Sequence, residues 1–386
     1  MEETFKKIID FIRQLYNNPK GLVPLHAPVF NGNEKKYLEE CVDTTYVSSV
    51  GKFVDRFEVM TETYTGSKKA IVCDNGTNAL HIALLLSDVK QGDEVITQPV
   101  SFVATTNAII YSGAKPVFVD VDRDTLGLSP EKLEYFFKHY VKYNLYQHHF
   151  VNNLTNRRLS ACIPMHTFGH PCRIEDIVTI CDKYNIPVIE DAAESIGSFY
   201  KGKHTGTFGK IGVLSYNGNK TITSGGGGML LTDDTELAEK AKHITTQSKI
   251  PHRWEYNHDA IGYNYRMPNL NAALGCAQME QLDDFLTIKR EIALKYSKFF
   301  DTITGLGFFT EPPESKSNYW LNAVILNGKK EREQFLEITN SNAVMTRPIW
   351  RLLNKLKMFE GCFANDLTNA EWLEDRIVNI PSSVII

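Results

Sequence analysis

Lys220 closes the segment Gly209-Lys210-Ile211-Gly212-Val213-Leu214-Ser215-Tyr216-Asn217-Gly218-Asn219-Lys220, and Thr221 to Ser224 lead from it into four glycines, Gly225 to Gly228. An apolar strand that stops, presents one lysine and turns back through glycine into Met229-Leu230-Leu231-Thr232 aims an amine into a pocket. Upstream, the apolar run Val188-Ile189 ends on Glu190-Asp191 and puts an acid at another strand end. A lysine that forms a Schiff base and an aspartate that pairs with a pyridinium nitrogen are the protein's share of pyridoxal 5'-phosphate chemistry. Each residue also has a plainer reading, a solvated lysine and a turn carboxylate, so the surrounding elements decide between them.

Those elements alternate. Lys69 to Cys73 reads as a buried strand, Gly76 to Leu86 as a helix, Glu94 to Thr97 as a strand, Phe102 to Tyr111 as a helix closed by Gly113, and Pro116 to Asp120 as a strand. Ser129-Pro130 supplies an N-cap and a first-turn proline for the next helix. Ala161 to Pro164 reads as a strand, Arg173 to Tyr184 as a helix and Ile186 to Glu190 as a strand. Apolar strands separated by helices predict an α/β domain with a mainly parallel sheet covered on both faces. Ligands bind such sheets beyond the carboxyl ends of the strands, where Asp191, His166 and the Gly76-Thr77 turn fall. Residues 141–160, with His148 and His149, read as a polar excursion between strand and helix. After about residue 245 the pattern changes to one long helix, Asn269 to Phe300, and short strands near Asn322 to Ile325. The expected division is an N-terminal arm over 1–30, a large cofactor-binding α/β domain over 31–245 and a small C-terminal α+β domain over 246–386.

Composition excludes several classes. A chain of 386 residues with 42% hydrophobic and 23% charged residues is long enough for two cores. A net charge of −4 argues against nucleic acid as a partner. Seven cysteines, an odd number without a Cys-x-x-Cys pair, read as reduced thiols of a cytoplasmic protein. Charges interrupt the N-terminal helix, so it does not read as a signal peptide, and no apolar run approaches a membrane span.

Further motifs bear on chemistry. Asp74-Asn75-Gly76-Thr77 opens a helix, and a helix N-terminus binds phosphate well, although an ordinary N-cap has the same look. Neither a Walker A lysine nor a Gly-x-Gly-x-x-Gly opens a βαβ unit, which counts against a nucleotide-dependent oxidoreductase. Phe102, at a strand-to-helix junction, could stack on a flat ring or sit in the core. The run His166-Thr167-Phe168-Gly169-His170-Pro171-Cys172 fits no zinc spacing, so no metal is expected.

Taken together these stretches resemble the DegT/DnrJ/EryC1/StrS family of PLP-dependent sugar aminotransferases. The resemblance rests on Asn75 to Leu80, Ser101 to Thr105, Gly113 to Asp120, Glu190 to Glu194, the Lys220 segment with its glycines, and Gly262 to Met267, in unbroken order over roughly residues 25–280. It implies a fold-type I enzyme, a homodimer with active sites at the interface, and L-glutamate as amino donor. It implies that Lys220 carries the cofactor, Asp191 pairs with its ring nitrogen, Phe102 stacks on the ring, and Gly76, Thr77 and Ser215 hold its phosphate. Asn264 would reach the neighbouring subunit's cofactor phosphate. Glu194 stands near the ring hydroxyl, where relatives more often carry Gln or His. Tyr216 to Asn219 and Leu25 to Phe30 are similar to a branch acting on 2-acetamido-4-keto-6-deoxy nucleotide sugars, on routes to bacillosamine or legionaminic acid. The implied reaction is amination at C4 of such a sugar, with UDP as the carrier. His166 and Arg347 are candidate substrate contacts; a guanidinium suits a pyrophosphate, though Arg347 has the plainer reading of a surface loop residue. The rival reading is a non-catalytic sensor of the same fold that binds PLP or a sugar. Some relatives are dehydratases with His in place of the lysine, and Lys220 speaks against that role.

Overall fold

The computed structural model describes residues 2–385. Helices α1 (Glu2–Leu15), α2 (Glu34–Asp43) and α3 (Lys52–Thr65) precede the alternating region. That region runs β1 (Lys69–Cys73), α4 (Gly76–Leu86), β2 (Glu94–Thr97), α5 (Val103–Tyr111), β3 (Lys115–Phe118) and α6 (Pro130–Tyr140). A hairpin of β4 (Val141–Asn144) and β5 (His149–Asn152) follows, then β6 (Leu159–Ile163), α7 (Ile174–Asp182) and β7 (Ile189–Asp191). Two short strands, β8 (Phe199–Tyr200) and β9 (Lys203–His204), lead to β10 (Ile211–Ser215), β11 (Gly228–Thr232) and α8 (Thr235–Thr245).

The sheet order is β3-β2-β6 on one side and β7-β10-β11-β1 on the other. Parallel bridges Cys162 to Val188 and Met165 to Asp191 join the halves. Only β11 runs against the rest, as the hairpin partner of β10. Side chains alternate between faces with the strand period: Ile71 and Cys73 enter the core with α4, while Ala70 and Val72 enter the core with α3. Parallel strands separated by helices must all run the same way, so β1, β2, β6, β7 and β10 end at one edge. That edge builds the site.

The second region comprises α9 (Asn269–Met279), α10 (Leu282–Phe300), β12 (Gly307–Phe308), β13 (Ser315–Lys316), β14 (Asn322–Ile325), α11 (Lys329–Ser341), β15 (Arg347–Pro348), α12 (Thr368–Glu374) and β16 (Ile377–Ile380). Its antiparallel sheet has the order β12-β14-β16-β15. Two sequence expectations are corrected here. The long helix breaks at Glu280-Gln281, a two-residue turn in which Gln281 stands at φ −110° and ψ 0°. No Gly or Pro marks the break; instead Glu280 is held by Tyr37 and Arg56, and Gln281 by Glu34, all on or beside α2 and α3. The polar stretch 141–160 lies between α6 and β6 and is largely a two-stranded ladder rather than an excursion between strand and helix.

Phe5, Ile8, Ile9 and Ile12 of α1 are buried with Ile292, Tyr296, Phe335 and Val378, each worth roughly 1.5–3 kcal/mol in apolar transfer. α9 packs with α2 and α3 instead. We propose a division on these cores in which α9 belongs to the large domain and α1 to the small one. Val100, Leu126 and Phe168 meet Trp320, Leu321 and Ile349 between the two, directly beside the site.

Candidate active site

A cavity of about 350 Å³ opens at the carboxyl edge of the sheet, within the range of cofactor sites. Gly76, Thr77, Phe102, Asp191, Glu194, Ser215 and Lys220 all line it. Their convergence follows from topology, because each stands at or just past the end of a strand or at the start of a helix that follows one.

The α4 terminus makes an anion cradle. Asn75 caps the helix, its side chain accepting from the Asn78 N–H at 2.8 Å and its carbonyl from Ala79 N–H at 3.1 Å. Gly76 and Thr77 keep first-turn N–H groups for a ligand. A side chain at position 76 would place its Cβ 3.0 Å from Ser215 Cβ, so glycine keeps the helix close to the end of β10. Gly228 serves the same packing, since a Cβ there would collide with the Asn75 carbonyl.

Asp191 is buried, and its carboxylate accepts from Thr105 Oγ1 at 2.7 Å and from Ala193 N–H at 3.2 Å. Burial raises its pKa, with those two donors working the other way. A desolvated carboxylate with lone pairs to spare suits a pyridinium N–H. Phe102 caps α5 and is 53% exposed, presenting its ring to the cavity. These residues fit pyridoxal 5'-phosphate: helix N–H groups for the phosphate, an aromatic face, a buried acid and an amine.

Lys220 Nζ donates to Glu194 Oε1 at 3.2 Å, and Glu194 Oε2 accepts from Phe168 N–H at 2.9 Å. Burial pushes the Glu194 carboxyl up to about 7, with Lys220 and the Phe168 N–H opposing it.

Three sequence candidates stand off this cavity. His166 is fully buried and does not line the cavity, so it is not placed to touch a substrate. Its Nδ1 accepts from Cys172 N–H at 3.2 Å, leaving the proton on Nε2, 3.0 Å from Glu190. Arg347 is exposed on β15 and donates to Asn340 Oδ1 and to the Thr346 carbonyl. Asn264 is exposed in the bridge to Thr246. Conversely, sequence reasoning missed Trp320 and Trp350, which line the cavity from segments flanking β14 and β15. It also quoted Thr105 without a role, although its position one helical turn after Phe102 points it at the same strand end. A wider cavity, about 860 Å³ against Arg158 and Lys210, holds none of the predicted site residues. Among the described residues no three His, Cys, Asp or Glu side chains cluster as metal ligands.

The description "DegT/DnrJ/EryC1/StrS aminotransferase family" fits residues 29–385. The chain belongs to that family. It is 38% identical over 360 residues to GDP-perosamine synthase of Escherichia coli O157:H7, covering 93% of each chain. It is 34% identical to GDP-perosamine synthase of Vibrio cholerae, covering 94% of each. Its fold matches the aminotransferase TlmJ from Streptoalloteichus hindustanus with a TM-score of 0.84 at 25% identity, over 94% of each chain. The protein is therefore a PLP-dependent sugar aminotransferase of fold type I. No helix of this aminotransferase, among the described residues, is long and apolar enough to cross a membrane.

Proposed function

We propose that this enzyme moves an amino group from L-glutamate to C4 of a 4-keto-6-deoxy nucleotide sugar, with a UDP-linked 2-acetamido sugar as acceptor. The observation that carries the reading is the meeting of Lys220, Asp191 and the α4 N-terminus in one cavity. The cofactor, when bound, supplies the electron sink that lets a C–H bond next to nitrogen break. The chain's own groups do the rest. The first turn of α4, at Gly76 and Thr77, and Ser215 bind the phosphate. Asp191 keeps the ring nitrogen protonated, and Thr105 and Ala193 fix the orientation of its carboxylate. Phe102 covers one ring face. The Lys220 amine moves the proton between the reacting carbons. Two substrates using one cofactor in turn require ping-pong kinetics.

The UDP assignment rests on the resemblance of Leu25 to Phe30 and Tyr216 to Asn219 to the acetamido-sugar branch; half-buried His26 of the first stretch lies near the Asn219 backbone and the Lys220 charge in the second. The relatives named GDP-perosamine synthase favour a second reading, a GDP-linked acceptor. Assay of the purified protein with glutamate and a panel of UDP-, GDP- and dTDP-linked 4-keto-6-deoxy sugars, with products identified by mass and NMR, separates them. Turnover of GDP sugars alone would reject the acetamido assignment. Conversion by none of them, with glutamate still converting the cofactor to its amine form, would reject the acceptor class.

We further propose a homodimer in which exposed Asn264 completes the partner's phosphate site. Its exposure on its own chain leaves it available for that contact.

A further inference from the structure

Lys220 has an aromatic neighbour that the roles above leave unused. Its Nζ lies 4.1 Å from the centroid of the Trp320 ring. Trp320 is 4% exposed and tied at three points. Its main-chain N–H donates to Asn318 Oδ1 at 2.8 Å, and its indole N–H donates to the Asn219 carbonyl, next to Lys220, at 2.7 Å. Its carbonyl accepts from Lys289 Nζ at 3.2 Å. Lys289, 1% exposed, also meets the Ser382 carbonyl at 2.7 Å and His26 Nε2 at 3.0 Å, so three polar groups surround its amine. The ring next to the amine is thus held by its own N–H bond to Asn219, on a main chain that a buried lysine anchors.

Transamination engages the lysine amine covalently at one stage and sets it free at another. A free lysine amine takes up a proton at neutral pH, and its tether confines that cation to the cavity. Two groups within reach stabilise it: the Glu194 carboxylate at 3.2 Å and the negative face of the indole. We propose that Trp320 is a further catalytic residue, whose ring face, together with Glu194, receives the Lys220 ammonium while that amine is free. The inference rests on Lys220 being the amine that binds the cofactor.

The test uses cofactor-free protein and limiting acetic anhydride, which acylates only unprotonated amines. Acetylation of Lys220 relative to Lys210 is read by mass spectrometry at pH 7.5 and again at pH 10.5. Trp320→Leu removes the π face, so relative labelling at pH 7.5 should rise about three- to tenfold. Trp320→Phe keeps a weaker face and should fall between that variant and the natural protein. At pH 10.5, close to the ordinary lysine pKa of about 10.4, the differences should be smaller than at pH 7.5, because protonation then limits the rate less. Unchanged labelling at pH 7.5, or a rise of equal size at both pH values, would overturn the proposal, the latter by showing that access rather than charge had changed. If Trp320→Leu does not fold, Trp320→Phe carries the test alone, with an expected rise of about twofold. Borohydride trapping of the cofactor on the natural protein is the companion measurement. An adduct away from Lys220 overturns the underlying reading and the proposal with it, whereas an adduct on Lys220 beside flat labelling overturns only the proposal.

Discussion

Glu190 should prove the most costly single carboxylate in the large domain to neutralise. It is fully buried at the end of β7, one residue before Asp191. Its Oε1 accepts from the Phe208 and Gly209 N–H groups at 2.6 and 2.7 Å, and its Oε2 from Gly206 N–H at 2.7 Å and His166 Nε2 at 3.0 Å. Glu190→Gln keeps the shape but turns one oxygen into an NH₂ group. Whichever way the amide sits, that nitrogen faces two donors. Two hydrogen bonds to a charged acceptor are lost, each worth about 1.5–3 kcal/mol, and two donors stay buried without partners. Allowing for relaxation, the expected loss is about 3–5 kcal/mol, a large part of a typical domain's stability.

The pH dependence has a definite sign. Burial works against the charged form of Glu190, but His166 and the backbone donors outweigh it and hold the pKa below the ordinary value. A depressed carboxylate contributes stability above its unfolded pKa, roughly 4.3, and loses it as pH falls through the folded value. Urea unfolding followed by tryptophan fluorescence should therefore show the full gap between natural protein and variant at pH 7.5, and a narrowing gap below about pH 4.3. A loss under about 1 kcal/mol at pH 7.5, or a gap that does not narrow in acid, would refute the account of Glu190 as a charged anchor for the Asp191 strand.

Lys220→Ala should nearly abolish transamination while the cofactor still binds through its phosphate, measured by equilibrium dialysis against single-turnover rates. Mixing Lys220→Ala with Asn264→Ala subunits should restore part of the activity, and an active, cofactor-loaded monomer in sedimentation would refute the shared site. Asp191→Asn preserves shape and removes the charge, so the rate of proton abstraction should fall by about a hundredfold or more, read by stopped-flow absorbance with glutamate. Gly76→Ala crowds Ser215 at 3.0 Å and should raise the cofactor dissociation constant about tenfold, checked by titration.

Much of the site was legible in the chain itself because it lies on short, punctuated segments. The capped start of α4 at Asn75, the acid ending β7 and the lysine between β10 and a glycine run are local patterns, and local patterns survive folding. The alternation of apolar runs with helices likewise determined a mainly parallel sheet, and hence one edge at which those residues meet. Only the tertiary structure decided the rest. Trp320 reaches Lys220 across a hundred positions of sequence, through the core that Val100, Leu126 and Phe168 share with Leu321 and Ile349. His166, at a strand end like Asp191, turns inward to Glu190 instead of outward to the cavity, because a fully buried carboxylate recruits donors from several segments at once. The break at Glu280-Gln281 has no breaker residue; contacts of Tyr37, Arg56 and Glu34 with the two side chains mark it. Periodicity and capping act over a few residues and can be read in order, whereas the partner of a buried charge or an aromatic face is chosen by the packing of distant elements.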